Sequence, residues 1–318
     1  MHWFSEGREY YARKWFTGML KAHPGRWRLF DSKIASATLI SSHDVVNRVA
    51  VIISSGGSDG PWSPGFVGTD LADAVVVGAP FTAPNAYSIY EVAKTLDTGR
   101  GIILLYNNFM GDYLNNDMAQ ELLSLEGHRA IQIPVHDDMG TALGEPRENR
   151  GGRSGATLMT RIAATASRKG LSLDEISALL KKANSRMSTL CVSVDTQNNN
   201  VTFGKGFSDE PGFKSGKMNM KEAADETIKL LTEDLSPKNN EKILLLVNPL
   251  RLAGYDEAYV MGNYLYDALS SCYPIFRMNV GVYIHILDGY GFTVTLLCAD
   301  EELRPYLEGN ISGDGFLI

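Results

Sequence analysis

The chain has 318 residues, 44% of them hydrophobic and 21% charged, with a formal net charge of −7. That length is enough for a large core and two domains, and the composition is that of an ordinary soluble globular protein. The acidic balance argues against direct nucleic-acid binding, which needs a basic face to neutralise phosphates; it leaves open a role exerted through a protein partner.

In chain order, residues 5–22 have the spacing of an amphipathic helix, with Tyr10, Trp15, Phe16 and Leu20 along one side and His23-Pro24-Gly25 as the stop. Apolar strands are predicted at 49–53, 74–78, 101–106 and 130–135, alternating with helices at 85–97 and up to about 126. Strands apolar throughout and separated by helices indicate a parallel sheet covered on both faces, whose ligands bind at the carboxyl ends of the strands. The loops 54–60, 107–112 and 136–140 follow strands and so fall on one rim. Residues 141–154 read as a surface loop, and helices follow at 156–168 and 173–186. A second unit begins near Leu190, with a turn at Asn198-Asn199-Asn200, helices at 219–234 and 255–270, and strands at 243–247, 276–286 and 292–298. The expected fold class is α/β in two domains, 1–186 and 187–318, each a sheet with helices packed on it.

Three scattered cysteines, Cys191, Cys272 and Cys298, form neither a disulfide framework nor a zinc motif. Residues 1–7 lack a signal-peptide core, and no apolar run approaches the ~20 residues of a membrane span. A cytoplasmic protein without membrane contact is expected.

Several segments carry chemistry. The loop 54–60 has three serines, three glycines and an aspartate directly after a strand. Glycine admits a ligand close to backbone N–H groups, although a plain strand-to-loop turn has the same composition. Asp112 follows a strand in Asn-Phe-Met-Gly-Asp, where a carboxylate serves as a general base or as a helix N-cap; the roles can coexist. His136-Asp137-Asp138 reads as a turn with solvated charge rather than a metal site, because adjacent residues rarely point at one ion. His285, in an apolar strand, reads as a packed histidine. The stretch 203–213 carries glycines and a Glu210-Pro211-Gly212 turn, the look of a site built on backbone.

These pieces, taken in order with Lys21-Ala22-His23-Pro24, Gly65-Phe66-Val67-Gly68, Leu246-Val247-Asn248, Leu287-Asp288 and residues 291–297, resemble the K subunit of dihydroxyacetone kinase across almost the whole chain. The resemblance implies a two-domain α/β homodimer that holds a ketose as a hemiaminal on a histidine. Phosphate would come from a nucleotide-binding partner subunit or fused domain. The chain ends at Ile318, so no cofactor is expected in it and any phosphoryl donor is expected on another polypeptide.

The departures fall on the chemistry. The family's Gly-Gly-Gly-Ser-Gly-His-Glu-Pro loop corresponds to Ser55-Gly56-Gly57-Ser58-Asp59-Gly60-Pro61, without the histidine. The family's lysine corresponds to Asn107, its aspartate is kept as Asp112, and its covalent histidine corresponds to Ser208, followed by Asp209. A serine hydroxyl needs a nearby base to act as a nucleophile, and losing a covalent tether removes positioning. The substrate-binding set expected is Ser55, Gly56, Gly57, Ser58, Asn107, Asp112 and Ser208, with Asp112 and Ser208 the catalytic candidates. The expected role is a ligand-binding or co-activator-like subunit with a degenerate site, partnered by a TetR-type regulator. The alternative is an active short-ketose kinase subunit that binds substrate non-covalently beside a nucleotide-binding kinase subunit.

Overall fold

The computed structural model describes residues 7–30, 36–57, 60–205, 210–285 and 289–309. The chain forms two compact units that are discontinuous in sequence. Residues 1–135, 156–181 and 306–317 cluster as the first, and 136–155 and 182–305 as the second.

The first unit is built on six strands: β1 (Trp27–Leu29), β2 (Ala37–Ser41), β3 (Ala50–Ser55), β4 (Ala74–Val77), β5 (Ile102–Asn107) and β6 (Ala130–Val135). Their order is β1-β2-β4-β3-β5-β6. The four strands read from their apolar runs make the parallel part; β1 and β2 pair antiparallel at one edge, so the sheet is mixed. Its helices are α1 (Arg8–Ala22), α2 (Ala86–Leu96), α3 (Met110–Leu125), α4 (Gly155–Arg168) and α5 (Leu173–Ser185). Ala50, Ile52, Val76, Ile102 and Leu104 pack with Ile89, Val92, Ala119 and Leu123 of α2 and α3 in one core. The intervening Val51, Ile53, Val75, Ile103 and Leu105 are equally buried, which is why these strands are apolar throughout rather than alternating.

The second unit has β7 (Met187–Asp195), β8 (Asn200–Lys205), β9 (Pro211–Lys217), β10 (Lys242–Pro249), β11 (Ile275–Val280) and β12 (Gly291–Ala299) in the order β11-β10-β12-β7-β8-β9. All neighbours are antiparallel except β10 and β11. Helices α6 (Met220–Leu235) and α7 (Tyr255–Ser270) supply Ala224, Leu231, Met261 and Leu265 to a core shared with Val192, Leu245, Phe292, Val294 and Leu296. Among the described residues no helix is long and apolar enough to cross a membrane.

Three local readings are corrected. The 203–213 stretch contains strand ends, not one loop: Phe203–Lys205 closes β8, and Pro211-Gly212-Phe213 opens β9. The strand expected over 276–286 stops at Val280, so His285 lies outside it. Residues 151–154 of the expected surface loop are buried, Arg153 completely.

Candidate functional site

In the first unit the carboxyl ends of β3 and β5 lie side by side, their last registered pair being Ile53 and Leu105. Two residues further on each strand stand Ser55 and Asn107, both buried. The Ser55 hydroxyl is 2.6 Å from that of Ser63. Just before it, the Asn116 amide of α3 donates to the Ser54 hydroxyl at 2.7 Å and to the Asp112 carbonyl at 2.8 Å, so α3 is tied to the end of β3. Asn116 was not singled out from sequence; a polar residue within a helix has no local signal for a bond 62 positions away.

Gly57 is explained by packing. A Cβ there would sit 2.6 Å from the Gly78 carbonyl oxygen, and its N–H donates to the Ala79 carbonyl at 3.1 Å. Gly56 is less constrained, since its Cβ would meet only ordinary contacts with residues 81 and 82. Ser58 and Asp59 lie outside the described residues.

Asn107 is the last residue of β5 and only 3% exposed. Among the described residues neither end of its carboxamide has a hydrogen-bond partner. Buried amides are ordinarily satisfied, and an unsatisfied one costs about 1–3 kcal/mol. Asp112 follows in the first turn of α3 and is also buried. It is not the N-cap; Phe109 holds that position without a side-chain cap bond. An acidic side chain in the first turn still suits the positive end of the helix dipole. Below this rim, burial and the charges nearby, Asp112 among them, raise the pKa of Tyr106, whose hydroxyl donates to the Gln132 amide oxygen at 2.7 Å.

From Met110, the first residue of α3, an exposed apolar stripe runs along the helix through Leu114, Met118 and Leu125, with Tyr113 alongside. Soluble surfaces rarely leave such a contiguous stripe uncovered without a use for it.

In the second unit, Gly206, Phe207, Ser208 and Asp209 lie outside the described residues, but both flanks are defined. Lys205 pairs with Pro211 after a register shift at Gly204. Gly204 has φ +79°, and a Cβ on it would collide with the Phe213 ring. The turn at 136–140 is not solvated charge, because Asp137 and Asp138 are buried. Asp137 accepts from the backbone N–H groups of Arg153 at 2.7 Å and Gly155 at 2.8 Å, and from the Thr189 hydroxyl. Asp138 pairs with Arg153 and accepts from the Gly140 N–H at 2.9 Å. Burial works against the Arg153 charge, but Asp138 beside it outweighs this and raises the guanidinium pKa. Burial, with Arg147 nearby, pushes His136 down and favours its neutral form. Among the described residues no cluster of three or more His, Cys, Asp or Glu is placed to hold a metal.

A cavity of about 610 Å³ opens elsewhere in the second unit, over Val192, Val201, Met261 and Phe292. None of the expected site residues lines it. Polar groups around it are committed locally: Asn219 and Glu222 close a capping box at the start of α6, and Asn198 bonds Asp195 at 2.9 Å.

Residues 17–313 match the family model described as the Dak1 domain. The chain is 30% identical over 276 residues to the dihydroxyacetone-binding subunit DhaK of PTS-dependent dihydroxyacetone kinase 2 from Listeria innocua, covering 82% of this chain and 83% of that one. It is 28% identical to a D-erythrulose kinase from Mycolicibacterium smegmatis, over 81% of this chain but only 47% of that protein. Among solved structures it is similar to the dihydroxyacetone kinase of C. freundii, with TM-score 0.88 and 20% identity over 97% of this chain and 59% of that one. It is also similar to the dihydroxyacetone kinase operon co-activator Dha-DhaQ, with TM-score 0.84 and 23% identity over 94% and 96% of the two chains. The chain belongs to the Dak1-domain family and is a homologue of the dihydroxyacetone-binding subunits DhaK.

Proposed function

We propose that this chain is a subunit that binds a short ketose or polyol without a covalent bond and passes its occupancy to a protein partner, with the kinase chemistry of its relatives weakened or lost. One observation carries this reading: Asn107, at the position of the family's lysine, is a buried carboxamide with both polar ends unpartnered among the described residues. A neutral donor and acceptor side by side suit hydroxyl and carbonyl groups; they do not supply the positive charge that phosphoryl transfer uses. Relatives carry the names of dihydroxyacetone, erythrulose and 3,4-dihydroxy-2-butanone kinases, which supports a three- or four-carbon ketose as the ligand class. In this reading Ser55, Gly56, Gly57, Ser58 and Asp112 complete the binding set, and Ser208 takes the covalent histidine's place as a hydrogen-bonding group. The apolar stripe on α3 starts two residues before Asp112 and supports a protein partner beside the rim.

The test is calorimetric titration with dihydroxyacetone, erythrulose and glycerol, together with intact-mass measurement. Binding of a ketose with no mass increment is the expected result. No binding by any of them, or a covalent adduct, sinks the proposal.

The retained Asp112, buried in the first turn of α3, favours one second reading. In it Asp112 takes the proton from the substrate hydroxyl and a nucleotide-binding partner subunit supplies phosphate. Turnover with such a subunit and ATP that is lost in Asp112→Asn selects this reading over the first.

A further inference from the structure

On β7 and β12 the residues facing α6 and α7 are apolar, while the alternate positions Thr189, Thr293 and Thr295 are polar and fully buried. Hydroxyls buried on a sheet face must be hydrogen-bonded, and here they bond to one another in an unbroken line. Thr295 stands opposite Thr189, and Thr293 opposite Asn248. The Thr189 and Thr295 hydroxyls are 2.7 Å apart. The Ser154 hydroxyl is 3.0 Å from that of Thr295 and 3.1 Å from that of Thr293. Asn248 donates to the Thr293 hydroxyl at 3.1 Å.

Each end of this line grips backbone. At one end Thr189 donates to Asp137, whose neighbour Asp138 fixes the Arg153 guanidinium, and Arg153 donates to the Lys205 carbonyl at 2.5 Å. Lys205 is the residue immediately before 206–209. At the other end Asn248 accepts from the N–H groups of Tyr283 at 2.7 Å and Ile284 at 3.0 Å, and donates to the Ile284 carbonyl at 3.0 Å. Ile284 lies two residues before 286–288.

We propose that this buried network ties the end of β8 to residues 283–284, and that Arg153 and Asn248 are positioning residues that hold Lys205 and Ile284 in one mutual arrangement. Breaking one link of a buried hydrogen-bonded network strands the remaining polar groups in a dry interior. A displacement of Lys205 or of Ile284 is therefore felt at the other. The inference rests on the proposed function in one respect, that ligand contacts the stretch containing Ser208.

Ser154→Ala cuts the middle of the line with a small change in volume. Hydrogen exchange followed by mass spectrometry on the whole chain is expected to show exchange about tenfold faster in peptides covering both 203–213 and 281–291, with the helices α6 and α7 unchanged. Thr295→Val, a second cut, gives the same pattern, and Thr295→Ser, which keeps the hydroxyl, restores wild-type exchange. Acceleration at one end only, or uniformly across the second unit, overturns the proposal. In a parallel titration with dihydroxyacetone, Ser154→Ala weakens binding about five- to tenfold at a temperature where the variant is fully folded, and an unchanged Kd overturns the positioning role. If wild-type protein binds no dihydroxyacetone, the ligand reading has failed, while the exchange measurement still decides the network.

Discussion

At the scale of single residues, Asn107 separates function from stability. A buried amide without partners lowers stability, so Asn107→Leu should leave the melting temperature unchanged or raise it, by up to about 1–3 kcal/mol in stability, while abolishing ketose binding. Thermal unfolding and calorimetry on the same variant check both halves; a destabilised variant would show that the amide serves the fold. Gly57 gives the opposite contrast. Its Cβ would meet the Gly78 carbonyl at 2.6 Å, so Gly57→Ala should cost about 1–3 kcal/mol in a denaturant titration. The rim's composition was legible in the sequence, but which glycine serves packing was not, because the neighbours at 78–80 are distant in sequence. Asp112 was readable as an acid at a strand's carboxyl end. Its place in the first turn rather than at the N-cap follows from the helix beginning at Met110.

At the scale of elements, α3 has a core face and an exposed apolar face. Ala119 and Leu123 enter the core, and Leu114, Met118 and Leu125 stay exposed. Met118→Lys should leave the unfolding transition in place, since an exposed side chain changes little on substitution, but should weaken capture of the protein partner proposed above. Size-exclusion of the mixed proteins measures this, and unchanged association removes the stripe from the interface. On α6, Asn219 and Glu222 form a reciprocal capping box, with bonds of 3.0 Å and 2.9 Å. Asn219→Ala should cost about 1 kcal/mol, read from the urea midpoint. Of the strands found from sequence, β3, β4, β5, β10 and β12 are buried on both faces, so their apolar runs are continuous, while β6 and β11 are only partly buried. Strand β9, Pro-Gly-Phe-Lys-Ser-Gly-Lys, lies at the sheet edge, lacks alternation and is mostly exposed. Its strand character comes from its partner β8, so it was invisible locally. Strand β1, three residues long, is too short to show a period.

At the scale of the whole molecule, charge pairing links segments far apart in the chain. Burial alone would raise the pKa of Asp234, but hydrogen bonds from Arg150 at 2.7 Å and Arg147 at 2.8 Å outweigh it and hold the carboxyl well below the usual range. A depressed folded-state pKa means this contribution is complete above the ordinary aspartate value of about 3.8 and is lost as pH falls below it. Asp234→Asn should therefore lower stability near neutral pH and flatten its decline in acid. Urea unfolding of both proteins from about pH 7 to about pH 3 measures the difference, and parallel curves would show that the pair contributes nothing.

The sequence by itself determined the α/β class, the order of most elements and the family. Those features reside in local apolar runs and in the order of short motifs, both of which one chain displays without folding. Only the tertiary structure decided that Asp137 and Asp138 are buried against Arg153, that residues 136–155 cluster with the second unit, and that the threonines of β7 and β12 join two distant segments. Burial of a charge or a hydroxyl depends on partners brought from elsewhere in the chain, and nothing in the flanking sequence records which partners those will be.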